Sequence, residues 1–221
     1  MKRITFFIIL IYLLLLQVAC TTSNAGANDS FFASAETEII APEKLCPVGY
    51  VEWIEDKTNG IKIEKTIEGF TYSVMYKPVE YVALLDLKKA SVAKQELQNK
   101  IEEYNGLQYY TFKITTPDEG ELLKKKLTNT NDYYSRIQYY SFEMQKDLKL
   151  IEGTDTLDCV LFHFERTYGV SPDITFVVGF PLTENKFDKT LLYDEKIFGA
   201  GKIFLTVQSK NYKKIPLVIT G

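Results

Sequence analysis

Residues 61–76 read IKIEKTIEGFTYSVMY, and the fold class turns on this stretch. Ile61, Ile63, Lys65 and Ile67 alternate with Lys62, Glu64 and Thr66; Phe70, Tyr72, Val74 and Tyr76 then alternate with Thr71, Ser73 and Met75. A period of two is that of a half-buried strand. Between the runs lies Glu68-Gly69, a two-residue loop whose glycine accepts the positive φ of a tight turn. The expectation is an antiparallel β-hairpin.

Upstream, Asn59-Gly60 is a second turn signal, closing a first strand expected at Tyr50–Ile54. Downstream, Pro78 suits the start of a helix, and Val79–Leu87 is apolar on most sides, as a buried helix would be. Ala90, Ala93, Leu97, Ile101 and Tyr104 fall at helical spacing up to a C-cap pair at Asn105-Gly106. Leu107–Thr115 returns to a strand, and Asp118–Leu127 is expected to be a short helix. Thr130 or Asn131 caps a longer helix carrying Tyr133, Ile137, Tyr140, Met144 and Leu148 on one stripe. After Gly153 the pattern is that of strands, at Val160–Phe164, Ile174–Phe180, Leu191–Tyr193, Ile203–Val207 and Leu217–Ile219. Strands do not alternate regularly with helices, which disfavours a doubly wound parallel sheet. The expected fold is α+β, a mostly antiparallel sheet with two to four helices packed on one face.

Composition sets the outer limits. The chain has 221 residues, 46% hydrophobic and 25% charged, which suits one globular domain and excludes a multi-span membrane protein. A formal charge of −3 excludes nucleic acid as a generic partner, since phosphate binders carry a basic surplus. One His and three Cys leave little for a zinc site, and no cofactor or metal is expected.

The first twenty residues, MKRITFFIILIYLLLLQVAC, have a different chemistry. Lys2 and Arg3 precede an apolar run from Ile4 to Leu16. Thirteen helical residues span about 20 Å, short of the ~30 Å hydrocarbon layer and typical of a signal-peptide core. Val18-Ala19-Cys20 follows, and this resembles the lipobox of bacterial lipoproteins; Gln17 stands where that family usually has Leu. The resemblance implies a signal peptide over residues 1–19, cleavage after Ala19, and a thioether from the Cys20 sulfur to diacylglycerol. The residues alone also allow an uncleaved signal anchor or ordinary secretory cleavage with a free Cys20. Removal of residues 1–19 leaves 202 residues and a net charge of −5, so acyl chains rather than a basic patch would hold the body at a bilayer.

Residues 20–44 are small and polar apart from Phe31-Phe32 and Ile39-Ile40. They are expected to form a flexible tether reaching about 25–30 Å, with docking of either apolar pair on the domain as the alternative. Residues 45–221 are expected to form a single α+β domain.

Candidate chemistry within that domain is sparse. Cys46 and Cys159 are candidates for a disulfide in an oxidising compartment, or are simply small apolar side chains. Cys159 and His163 share a strand phase but stand about 13 Å apart at ~3.3 Å per residue, too far for a nucleophile and its base. His163 is expected on the less apolar sheet face, with Glu165 on the same side. No Gly-x-Ser-x-Gly is present, Ser135 and Ser141 fall in the expected helix, and Gly199-Ala-Gly201-Lys202 lacks phosphate-loop spacing. Lys124-Lys125-Lys126 is expected on a solvated helix face. Fifteen Tyr, paired at 109–110, 133–134 and 139–140, supply core rings and leave one ring of each pair for contacts.

The phrases Tyr76-Lys-Pro78-Val-Glu80-Tyr81 and His163-Phe-Glu165-Arg166 are similar to passages in uncharacterised Bacteroidota envelope lipoproteins, a group with no activity to transfer. By resemblance, Thr21 after Cys20 implies the outer membrane, facing the periplasm. The function expected is a membrane-anchored cell-envelope lipoprotein. Its partners would be the lipid bilayer through acylated Cys20 and an envelope protein or glycan, with no catalytic residue assigned. The alternative is an envelope hydrolase using carboxylates or a Ser-Lys pair.

Overall fold

The computed structural model describes residues 42–118, 120–165, 171–184 and 186–221. Residues 1–41 lie outside it, and with them the expected signal peptide, Cys20 and most of the expected tether.

The hairpin is present. β2 (Lys62–Ile67) pairs antiparallel with β3 (Phe70–Lys77), Ile67 opposite Phe70. Glu68 and Gly69 both take positive φ, 53° and 80°, the two-residue turn whose twist matches the strands. β3 then carries β4 (Leu107–Thr115), which pairs with β8 (Asp173–Pro181), which pairs with β7 (Leu161–Glu165). All four pairings are antiparallel, giving a five-stranded sheet in the order β2-β3-β4-β8-β7.

Register puts Tyr72, Val74 and Tyr76 on one face with Ile114, Phe112 and Tyr110, and then Ile174, Phe176 and Val178. These nine side chains are buried, as period-two patterning requires of an inward face. The opposite face aligns Met75, Thr111, Val177 and His163, and is the polar one.

A second antiparallel sheet covers the inward face. β5 (Leu148–Glu152), β6 (Asp155–Asp158), β9 (Lys189–Glu195) and β10 (Gly201–Val207) join in the order β10-β9-β5-β6. Aromatic contacts lock the two layers: Phe112 meets Tyr193 edge-on at 5.3 Å, and Tyr72 lies 6.4 Å from Tyr193. The class is the expected α+β, and mostly antiparallel. The second sheet covers much of the main sheet's apolar face, and helical segments touch both faces: Tyr140 meets Phe176 and Tyr212 meets Tyr76 on the apolar one, at 5.6 and 6.0 Å, and Tyr104 meets Tyr109 on the polar one at 6.1 Å.

Five helices are described: α1 (Pro47–Glu55), α2 (Val79–Leu87), α3 (Lys94–Glu103), α4 (Thr130–Gln138) and α5 (Ser209–Tyr212). The strand expected at Tyr50–Ile54 is therefore part of a helix. Pro47 opens it without losing a backbone bond, and Tyr50 and Ile54, one turn apart, are its buried pair. The β-branched Val48, Val51 and Ile54 disguised it.

Asp118–Leu127 holds only a short 3-10 turn, Leu122–Lys124. Asn129, one residue ahead of the expected cap, closes a capping box with Asp132. α4 then loosens into a π-helical turn (Tyr139–Glu143) and a 3-10 turn (Met144–Asp147), and Leu148 begins β5 instead of ending the helix. The wider π turn presses Tyr140 onto Phe176 at 5.6 Å and Phe164 at 6.1 Å.

The Tyr140 hydroxyl, wholly buried there, has no hydrogen-bond partner among the described residues. A buried hydroxyl without a partner costs about 1–3 kcal/mol of desolvation. Tyr140→Phe is therefore expected to leave stability unchanged or raise it by about 1 kcal/mol. Tyr110→Phe, whose hydroxyl donates to Gln108 Oε1 at 2.8 Å, is expected to lower it by about 1 kcal/mol. Denaturant unfolding of both variants reads the contrast; the opposite order would refute it.

The chain begins its described course beside its end. β1 (Lys44–Leu45) runs parallel to β11 (Leu217–Val218), with Leu217 N–H donating to Glu43 O at 3.0 Å and Ile219 N–H to Leu45 O at 2.7 Å. Lys44, placed in the tether by its sequence, thus belongs to the folded part.

Candidate binding site

Where β3 passes into α2, a pocket of about 200 Å³ opens between distant parts of the chain. Tyr76 closes β3, and Pro78 ends the strand and sets up the helix. Glu80 stands in the first turn of α2, where the helix dipole favours a carboxylate. α1 contributes Tyr50 and α5 contributes Tyr212. The remaining wall is Ile215–Val218, held in place by the β1–β11 pair.

The three rings are almost wholly inside, with exposures of 1% for Tyr50, 7% for Tyr76 and 5% for Tyr212. Tyr76 packs its ring on Tyr110 at 5.3 Å and Tyr212 at 6.0 Å. The Lys189 ammonium lies 5.6 Å from the Tyr76 centroid and 5.3 Å from that of Tyr212. That ammonium is pinned by Glu152 Oε1 at 2.6 Å and by Gln108 Oε1 at 2.8 Å. Gln108 Nε2 in turn donates to Pro181 O at 3.0 Å, and the Thr183 hydroxyl donates to Glu152. Burial lowers the pKa of Lys189, with Glu152 opposing.

The Tyr212 hydroxyl is also spent, donating to Phe187 O at 2.5 Å. The hydroxyls of Tyr50 and Tyr76, and the carboxylate of Glu80, have no hydrogen-bond partner or ion pair among the described residues. Burial, and next the charge of Glu80, hold both phenols well above the usual tyrosine range, so they are neutral donors and acceptors at every physiological pH. Two hydroxyls and one carboxylate around an apolar wall make a hydrogen-bonding site.

A larger cavity, about 310 Å³, lies between α1 and α2, lined by Val48, Val51, Leu84 and Leu85 with Lys88 at its rim. Its wall is mostly apolar, and its polar groups, Glu52, Lys88 and Lys89, are exposed side chains, whereas the smaller pocket sets buried phenols beside a carboxylate and so has the better claim to specific recognition.

The residues singled out in the sequence do not converge. Cys20 lies outside the described residues. Cys46 and Cys159 are both free thiols, one exposed and one buried. Cys159 donates to Leu161 O at 3.1 Å, and burial pushes its pKa up to about 11, away from a reactive thiolate. His163 and Glu165 are exposed on the polar face of β7, away from any cavity described above.

Three acids are buried among the described residues: Glu152 holds Lys189, Glu121 accepts from the Tyr133 hydroxyl at 2.8 Å and pairs with the exposed Lys124 at 3.0 Å, and Glu195 accepts the backbone N–H groups of Ile197, Phe198 and Ala200 at 2.6, 2.8 and 2.9 Å. That last set builds the turn at Gly199–Gly201 that feeds β10. Among the described residues no serine hydroxyl bonds a lysine, and no cluster of His, Cys, Asp and Glu could hold a metal ion.

The lysine run is solvated as expected, with Lys124 and Lys126 exposed, but only Lys124 lies in a helical turn; Lys124 pairs with Glu121, Lys125 with Asp118, and the Lys126 ammonium lies 5.2 Å from the Phe70 ring centroid. Of the tyrosine pairs, 109–110 is buried on both members, and Tyr134 alone is well exposed, at 66%.

No family model matches the chain, and no curated protein or solved structure does either.

The pocket was partly visible in the sequence. Tyr76, Pro78 and Glu80 sit together in the phrase that resembles envelope lipoproteins. Tyr50 was hidden by the mistaken strand, and Tyr212 by a four-residue helix with no periodic signal.

Proposed function

We propose that this chain is a lipid-anchored protein of the cell envelope, held at the outer membrane through acylated Cys20, whose α+β domain binds an envelope component in the Tyr50–Tyr76–Glu80 pocket. The anchor rests on the Val18-Ala19-Cys20 pattern after a thirteen-residue apolar run. Two or more acyl chains hold a protein stably where one does not. Among the described residues no helix is long and apolar enough to cross a membrane.

The observation that carries the binding reading is the Glu80 carboxylate beside two phenol hydroxyls, none of them with a described partner, in a pocket that contains no nucleophile–base pair. The buried carboxylates are engaged within the fold: Glu152 by Lys189, Glu195 by backbone N–H groups, and Glu121 by Lys124 and the Tyr133 hydroxyl. Metabolic labelling with a palmitate analogue tests the anchor: wild type is expected to take up label and Cys20→Ser to take up none. Label retained in Cys20→Ser would end the proposal.

A further inference from the structure

We infer that the Tyr50–Tyr76–Glu80 pocket receives one neutral sugar ring. The inference rests on the binding reading above and narrows it to a chemical class. A sugar ring presents hydroxyls at its rim and C–H groups on its faces. It is recognised by a carboxylate that accepts from its hydroxyls, by further hydroxyls that donate and accept, and by an apolar wall for the C–H face. The pocket has each part: Glu80, the hydroxyl edges of Tyr50 and Tyr76, and Ile215 with Pro216 and Pro78. Its volume, about 200 Å³, is that of a site for one small ring rather than for a drug-sized ligand, for which 300–1,000 Å³ is usual.

The competing ligand for a tyrosine-rich acidic pocket is an organic cation, which needs open ring faces. At two of the three rings, Tyr76 and Tyr212, those faces are already engaged. Tyr76 lies against Tyr110 and Tyr212, and the Lys189 ammonium already sits 5.6 and 5.3 Å from the Tyr76 and Tyr212 centroids. The groups in the lining with no described partner are the hydroxyls of Tyr50 and Tyr76 and the Glu80 carboxylate, which suits a polyol. An anionic ligand is disfavoured by Glu80 itself.

The test uses the full chain in a polyoxyethylene detergent, which carries neither sugar nor choline. Saturation-transfer NMR is run against methyl glycosides of neutral hexoses and of N-acetylglucosamine, oligosaccharides of the same sugars, and tetramethylammonium. At least one neutral glycoside is expected to bind, and its Kd is expected to rise at least tenfold in Tyr76→Phe and in Glu80→Gln with melting unchanged. Tyr76→Phe removes an oxygen with no described partner and keeps the packed ring. Tighter binding of the oligosaccharide than of the single ring would assign the site to a glycan end; equal binding would assign it to a free sugar.

Binding of tetramethylammonium in preference, no binding of any glycoside, or an affinity unchanged in both variants would overturn the inference while leaving the palmitate result, and the anchor, standing. Release of methanol from a methyl glycoside would instead overturn the binding reading itself in favour of hydrolysis.

Discussion

Replacing Lys189 by Met in the full chain is expected to cost the domain about 3–5 kcal/mol, because it leaves a carboxylate buried without its counter-charge. Both members of the pair are interior, with side-chain exposures of 1% for Lys189 and 4% for Glu152. Gln108, which bridges the ammonium to the Tyr110 hydroxyl, loses a partner as well. The double variant Lys189→Met with Glu152→Leu is expected to recover most of the loss, since paired apolar replacements of a buried ion pair are often neutral. Denaturant unfolding measures both. A single variant within 1 kcal/mol of wild type would show that the pair is not desolvated as the structure has it. Because the ammonium lies beside Tyr76 and Tyr212, the single variant should also loosen the pocket's inner wall.

The second large effect is expected at Arg136. This side chain, 7% exposed, donates to Leu123 O at 3.0 Å, to Lys126 O at 3.0 Å and to Lys125 O. It thereby satisfies three carbonyls of a segment with little repeating structure of its own, Leu122–Lys126. Its guanidinium also lies 5.3 Å from the Phe198 centroid, and Phe198 stacks on Phe70 at 4.0 Å, tying α4 to the start of β3. Arg136→Ala is expected to cost about 3 kcal/mol, and Arg136→Lys nearly as much, since one ammonium cannot reproduce the planar fork. Hydrogen exchange at residues 122–126 should quicken in both variants. Unchanged protection there, with stability within 1 kcal/mol of wild type, would contradict the assignment.

The main sheet was legible because its strands obey period two without interruption. Phe70, Tyr72, Val74 and Tyr76, and then Ile174, Phe176, Val178 and Phe180, leave no other face to bury. The second sheet was only half legible, because its inward positions are mixed. Along β9 the buried phase runs Lys189, Leu191, Tyr193 and Glu195, charged at both ends, and β5 ends on buried Glu152. A pattern that counts apolar residues cannot see an inward face whose charges are held by an ion partner, as Lys189 and Glu152 are, or by backbone N–H groups, as Glu195 is. α1 and the π turn were missed for a related reason: β-branched residues in one, and an unbroken helical stripe in the other, pointed to the wrong period.

At the site, Tyr76, Pro78 and Glu80 were neighbours in sequence, while Tyr50, Tyr212 and the Ile215–Val218 wall come together only through β1–β11 pairing and the packing of α5. Residues 43–45 hold the strand that walls the pocket.

The proposed anchor depends on the covalent state of Cys20. Intact-mass spectrometry of the chain extracted from membranes of the native cell reads it directly. The mass should be that of residues 20–221 plus the diacylglycerol and any amide-linked acyl group on Cys20. A mass matching the unprocessed chain, or residues 20–221 with an unmodified thiol, would remove the lipid anchor.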